Sequence, residues 1–200
     1  MHFMNQSATR REQRRLQTER RITVCAQRLT EELGLDGFTM DELAEAADVS
    51  RRTLFNYFPS KIDAVLGNPP EIPASALTTF LEGGPHGHLV DDVGELASVF
   101  LSSELLTREE MERGRRLVTT TPRLIMAAHE RFEQLTGEFV EVILAREGKE
   151  FGAERARLLL RLLVALFDGC MTSDGGDPDL EVPLADVFTE QLRTARDLLA

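Results

Sequence analysis

Apolar residues recur at helical spacing along nearly the whole chain, and the strict alternation of a half-buried strand is almost absent. Leu16, Ile22, Cys25, Ala26, Leu29 and Leu33 fall on one helical face, and Gly34 stops that helix. Thr39-Met40-Asp41-Glu42 then has the Thr-x-x-Glu spacing of a capping box, in which hydroxyl and carboxylate satisfy free N–H groups reciprocally. This short helix ends near Ala47, and Asp48-Val49-Ser50 makes a three-residue turn. Ser50 can cap a third helix running to about Phe58, and Pro59 suits the first turn of a fourth, where its missing N–H costs nothing. The run Gly67-Asn68-Pro69-Pro70-Glu71-Ile72-Pro73 breaks the pattern and marks a boundary. A second break, Gly83-Gly84-Pro85-His86-Gly87-His88, isolates a helix at about 74–82. Beyond it the spacing predicts helices at about 89–105, 107–119, 122–147, 152–172 and 183–199. The expected fold class is all-α.

Residues 38–61, FTMDELAEAADVSRRTLFNYFPSK, have the order helix, tight turn, helix, the arrangement of a helix-turn-helix whose second helix enters the major groove. Leu43, Ala44 and Ala47 are expected to face inward from the first helix, Val49 to plug the turn, and Leu54, Phe55 and Phe58 to face inward from the second. Ala44 is small enough for two helices to cross closely, and Asp48 is among the few non-glycine types that tolerate a left-handed turn residue. Arg51, Arg52, Thr53, Asn56 and Tyr57 are left pointing outward. Arginine can donate two bonds to the O6/N7 edge of guanine, while Thr53, Asn56 and Lys61 can meet base edges or phosphates.

The charge distribution agrees with a basic head. The chain's net charge is −11, yet residues 1–61 hold ten Lys and Arg against nine Asp and Glu, a net of +1, and the rest carries −12. Within residues 1–30 seven arginines face two glutamates, and Arg14 and Arg15 stand in that stretch as candidate phosphate contacts. Hydrophobic residues make up 42% and charged residues 28% of the 200, enough to bury a core. Two cysteines are too few for a disulfide framework and suit a reducing cytosol. The most apolar run, Leu158 to Phe167, is too short to span a bilayer and carries Arg161. The basic N-terminus has no apolar stretch behind it, as a signal peptide would. A cytoplasmic location is expected, with no membrane contact.

Thr39, Leu43-Ala44, Val49-Ser50, Thr53-Leu54-Phe55 and Tyr57-Phe58-Pro59-Ser60-Lys61 carry a family resemblance. From about Leu16 to Leu66 the chain resembles the DNA-binding head of the TetR/AcrR family of bacterial transcriptional regulators. The resemblance implies an N-terminal three-helix head, residues 10–67, and a larger helical body, residues 74–200, for ligand binding and dimerisation. It also implies a homodimer that reads double-stranded DNA at a palindromic operator as a repressor, released by an apolar small-molecule effector. On this resemblance Thr39 and Met40 lie at the DNA-facing start of the second helix. Ser50, Arg51, Arg52 and Thr53 meet bases and phosphates, and Tyr57 and Lys61 clamp the backbone. Family members often have Gly where Asp48 and Arg52 stand here, so base preference does not carry over.

In the body, the helix at 152–172 is apolar around more than one stripe and must be buried on two sides. Leu159, Leu163 and Leu166, with Phe188 and Leu192 of the last helix, are the expected dimer interface, joined as a four-helix bundle. Phe100, Leu105, Met126, Phe132, Phe167 and Met171 are apolar pocket candidates, and His129 a polar handle among them; plain core packing is the alternative for each. His86 and His88 sit on a Gly/Pro loop with no cysteine near them, and no metal site is expected. None of the four histidines follows a Glu by three residues, and there is neither a phosphate-binding glycine loop nor a Gly-x-Ser-x-Gly. An all-α enzyme is thus disfavoured, and no cofactor is expected. A DNA-binding activator, or an architectural protein without an effector, stays open.

Overall fold

The computed structural model describes residues 2–69, 71–101, 107–172 and 183–199, with side chains described from Arg10 onward except at a few positions beside the gaps. Among them there are ten α-helices and no strand. They are α1 His2–Leu33, α2 Met40–Ala46, α3 Arg51–Tyr57, α4 Lys61–Leu66, α5 Ala74–Leu81, α6 Leu89–Leu101, α7 Arg108–Thr120, α8 Pro122–Glu147, α9 Ala153–Thr172 and α10 Leu184–Leu199. A single 3-10 turn, Lys149–Phe151, joins α8 to α9. The chain forms two compact units, one from residues 1–69 with 105–130, the other from 70–104 with 131–200.

The first unit is built by short helices whose ends are individually capped. The Thr39 hydroxyl accepts from Glu42 N–H at 3.2 Å while Glu42 accepts from Thr39 N–H at 2.7 Å, closing the expected capping box. Ser50 accepts from Thr53 N–H at 3.0 Å at the start of α3. Ser60 does the same for Asp63 N–H at 3.2 Å, so the fourth helix starts at Lys61, two residues later than Pro59 suggests. Each such cap contributes roughly 1 kcal/mol, a large share of what a six- or seven-residue helix can have on its own. Asp48 has φ 49°, the left-handed conformation expected of it, and reverses the chain between α2 and α3. A Cβ at Gly37 would collide with the Leu33 carbonyl, so the turn after α1 requires glycine.

Ile22 and Ala26 of α1 are buried with Leu43, Ala44 and Ala47, with Leu54 and Phe58, and with Ala64 and Val65 of α4. Leu117 of α7 and Leu124 of α8 close the same core. The division expected at 67–74 therefore holds only for the first passage of the chain: α7 and residues 122–130 of α8 pack with the N-terminal helices rather than with the body. Charge reinforces that docking. Arg113 and Arg116 lie 3.4 and 3.6 Å from Glu31, and Arg123 meets Asp36 at 2.7 Å. Two residues expected inside lie outside. Leu33 is exposed beyond the last core turn of α1, and Phe55 is 42% exposed.

The second unit packs α5, α6, the rest of α8, α9 and α10 around a separate apolar core that includes Phe80, Val93, Leu96, Ile143, Leu163 and Phe188. A Cβ at Gly94 of α6 would run into Leu192, so glycine lets α10 approach α6 closely. Among the described residues of this unit the one fully buried acid is Asp92, paired with the guanidinium of Arg146. Arg146 also donates to Gly83 carbonyl at 3.2 Å and lies 4.6 Å over the Phe80 ring, while His86 N–H donates to Asp92 at 2.6 Å. This network ties the Gly/Pro loop at 83–88 to α6 and α8. Burial acts most strongly on Asp92 and would raise its pKa. The His86 N–H bond, then the bond and charge of Arg146, outweigh it and hold the carboxyl below its ordinary range.

Candidate functional site

The buried faces of α2 and α3 leave a defined polar face on the other side. Leu54 and Phe58 are buried, while Arg51, Arg52 and Asn56 are exposed and Thr53 is half-buried. Side chains three and four apart share a helix face, so this set projects together from α3. Their surroundings differ. Arg51 Nη1 bonds the carboxylate of Asp41 on α2 at 3.0 Å, and its guanidinium lies 5.6 Å from the Phe55 ring centroid. Arg52 and Asn56 have no hydrogen-bond or ion-pair partner among the described residues. Thr53 and Ser50 share a hydroxyl–hydroxyl bond of 2.7 Å within the α3 cap.

The other expected DNA contacts, Arg14 apart, are tied down within the unit. Thr39, exposed at the start of α2, donates its hydroxyl to Glu42 at 2.9 Å. Those two Thr39 bonds, the backbone one first, hold the Glu42 carboxyl below its ordinary pKa. Met40 is half-buried against the head core, and so is Tyr57, which packs there rather than standing clear of the surface. Lys61 donates to the Phe38 carbonyl at 2.6 Å and lies 4.9 Å from the Phe38 ring, so reaching a phosphate requires it to let go. On α1, Arg15 pairs with Glu12 at 2.9 Å, whereas the Arg14 side chain is exposed with no partner among the described residues. Arg20 grips Glu110 with two bonds and so holds α7 instead of being available to DNA.

Two residues on this face escaped the sequence reading. Asp41 belongs to a helix start, where an acid has the ordinary role of opposing the helix dipole, and Phe55 sits in a motif position read as core. The signal for Phe55 was its i, i+4 spacing from Arg51, which places a guanidinium over a ring, whereas Asp41 meets Arg51 from another helix and no local spacing marks it.

The second unit contains a cavity of about 220 Å³ lined by Phe80, Leu96, Phe132, Phe139, Ile143, Leu163, Phe167 and Phe188 among others. Among the described residues that line it, Thr136 carries the only polar side chain. Phe132 and Phe167 were expected there. Met126 and His129 were too, but both are exposed and belong to the first unit, Met126 at 73%, because that stretch of α8 packs through Leu124. The side chains of Phe100 and Met171, and all of Leu105, lie outside the described residues. Of the expected dimer set, Leu163 at 6% exposure and Phe188 point into the cavity, and Leu192 packs on Gly94. Leu159 and Leu166 are half-buried. The exposed apolar side chains of α9 are instead Leu158, Leu162 and Val164.

Among the described residues there is no group of His, Cys, Asp or Glu arranged to hold a metal ion, and no helix is long and apolar enough to cross a membrane. The fold and the exposed basic face of α3 define a helix-turn-helix DNA-binding module. Residues 22–63 match the family model of bacterial regulatory proteins, tetR family. The head is accordingly a TetR-type DNA-binding domain, and the chain is a DNA-binding transcriptional regulator. No curated protein matches the chain significantly.

Proposed function

We propose that this regulator is a homodimeric repressor that occupies a palindromic operator in the bacterial cytoplasm and is released by an apolar small molecule held in the second unit. The observation that carries the DNA-reading part is the exposed Arg51, Arg52, Asn56 row on a helix whose opposite face is fully buried. The cavity supports the effector part. An apolar cavity of about 150 Å³ takes benzene, so 220 Å³ suits a molecule of one or two rings or a short hydrocarbon chain. A charged or strongly hydrogen-bonding ligand would lose its hydration there and find one hydroxyl in return. The exposed Leu158 and Leu162, one turn apart, support pairing through α9. For release, the effector must bind the form that does not fit the operator more tightly than the form that does. A coupling of about 1–3 kcal/mol corresponds to a 5- to 150-fold drop in operator affinity.

Selection of binding sites from a random duplex library by the purified protein, at fixed salt, tests this reading. The expected outcome is a palindrome whose half-site centres lie about 34–36 Å apart, or a multiple of that. Operator binding is then titrated against uncharged one- and two-ring aromatics and medium-chain alcohols. A single unpaired half-site would remove the dimer. Affinity indifferent to every such ligand, with no thermal shift, would favour a DNA binder without an effector.

A further inference from the structure

We infer that Asp41 and Phe55 are positioning residues that hold the Arg51 guanidinium in one orientation, making Arg51 the fixed reader of the operator and Arg52 the adaptable one. The inference rests on α3 being the helix that enters the groove. Asp41 stands on α2, ten positions before Arg51, and its Oδ2 lies 3.0 Å from Arg51 Nη1. Phe55, one turn after Arg51 on α3, presents its ring 5.6 Å from the guanidinium carbon. The guanidinium is thus held from two sides by residues of two helices, and its remaining N–H groups are left for an outside acceptor.

Neither contact has much value to the fold. The ion pair is exposed at both ends, 68% and 62%, and such pairs add little to stability. An exposed ring under a cation adds little more, and Phe55, 42% exposed, is not among the buried residues of the head core. What the two contacts do supply is order. A free arginine side chain loses several rotatable bonds' worth of freedom when it meets a base, and one already restrained loses less. Bidentate recognition of guanine also demands an angular match that a swinging guanidinium meets only part of the time. Arg52, on the same turn, has no such restraint among the described residues.

Asp41 has a second effect of opposite sign. Its carboxylate on the DNA-facing side repels the phosphate backbone of every sequence alike. Removing it should therefore tighten binding to random duplex while weakening discrimination at the base Arg51 reads. A residue that merely supported the fold would move both in the same direction.

The test is site selection from a random duplex library with the full-length wild type, Asp41→Ala, Asp41→Asn, Phe55→Leu and Arg51→Ala, each checked for helicity and thermal unfolding. Arg51→Ala is expected to abolish the preference at one position of each half-site. Asp41→Ala and Phe55→Leu are each expected to reduce that preference about tenfold and leave the Arg52 position unchanged. Asp41→Ala should also bind random duplex several-fold more tightly. Asp41→Asn, which keeps an acceptor for Arg51, is expected to lie between, and it decides the matter if the alanine variant fails to fold. Unchanged preference in the Asp41 and Phe55 variants, where Arg51→Ala does alter one position, would overturn the positioning role and leave the DNA-reading assignment standing. A wild type that enriches no site would overturn both.

Discussion

Arg20 of α1 and Glu110 of α7 meet through two parallel bonds, Nε to Oε2 at 3.1 Å and Nη2 to Oε1 at 3.0 Å, across ninety residues of sequence. Glu110 also accepts from Thr107 N–H at 2.7 Å, so one carboxylate caps α7 and fastens it to the longest helix of the head. An arginine that charge counting assigns to DNA is thereby spent on architecture.

The Glu110 carboxyl responds to opposing influences. Burial, the strongest, raises its pKa. The Arg20 bonds come next, and together with the Thr107 N–H and the Arg20 charge they outweigh burial and hold it below its ordinary 4.5. The folded value lies below the unfolded one, so the pair contributes stability above pH 4.5. That contribution is lost as pH falls from there through the folded value. Glu110→Gln is expected to lower stability by about 1–2 kcal/mol at neutral pH. Urea unfolding across the acid range should show variant and wild type converging as the wild-type carboxyl protonates.

Arg52→Ala is expected to cost about 1–3 kcal/mol per half-site on the selected operator and to relax one base position there. Arg14→Ala should instead weaken binding evenly across sequences and flatten its salt dependence by about one counterion per head. Affinity measured on the operator and on single-base variants, at several salt concentrations, separates the two.

Adjacent leucines on α9 should fail in different ways. Leu162 is 49% exposed, so Leu162→Glu is expected to leave the fold intact and give monomers by light scattering at low micromolar concentration. Leu163 lines the cavity, and Leu163→Glu buries a carboxylate among phenylalanines at roughly 3 kcal/mol or more of stability. A persisting dimer mass for Leu162→Glu would place the interface on another surface.

The buried Asp92–Arg146 pair predicts an asymmetric mutant cycle. Arg146→Met leaves a buried carboxylate without its cation and is expected to cost about 3–5 kcal/mol. Asp92→Asn with Arg146→Met keeps an acceptor for the His86 N–H and removes both charges, so it should recover most of that loss. Because the folded Asp92 carboxyl is more acidic than the unfolded one, the pair's contribution fades as pH falls through the acid range. Thermal unfolding of single and double variants at neutral and acid pH reads both effects.

Much of the head was legible along the chain because its helices are short and each end announces itself. Thr39 with Glu42, Ser50 at the turn and Asp48 at φ 49° are local chemistry, and local chemistry is written in consecutive residues. Phe55 was misplaced because its motif position reads as core, although Arg51, one turn earlier on the same helix, lies over its ring. Leu163 was set on the outside because α9 is apolar on several sides, and a pattern of leucines does not say which stripe faces the unit's own phenylalanines. The placement of α7 depended on Leu117 and Glu110 finding partners far away on α1 and its neighbours, which no window of sequence contains.

The cavity wall has one further consequence. Water needs two to four polar partners to settle inside a protein, and Thr136 supplies one hydroxyl. Space that solvent does not fill favourably makes molecular volume a variable of the protein. Hydrostatic pressure will favour conformations in which Phe132, Phe139 and Phe167 collapse inward, and a filling hydrocarbon will oppose it. Compression and a bound hydrocarbon are thus expected to act on the second unit in opposite directions.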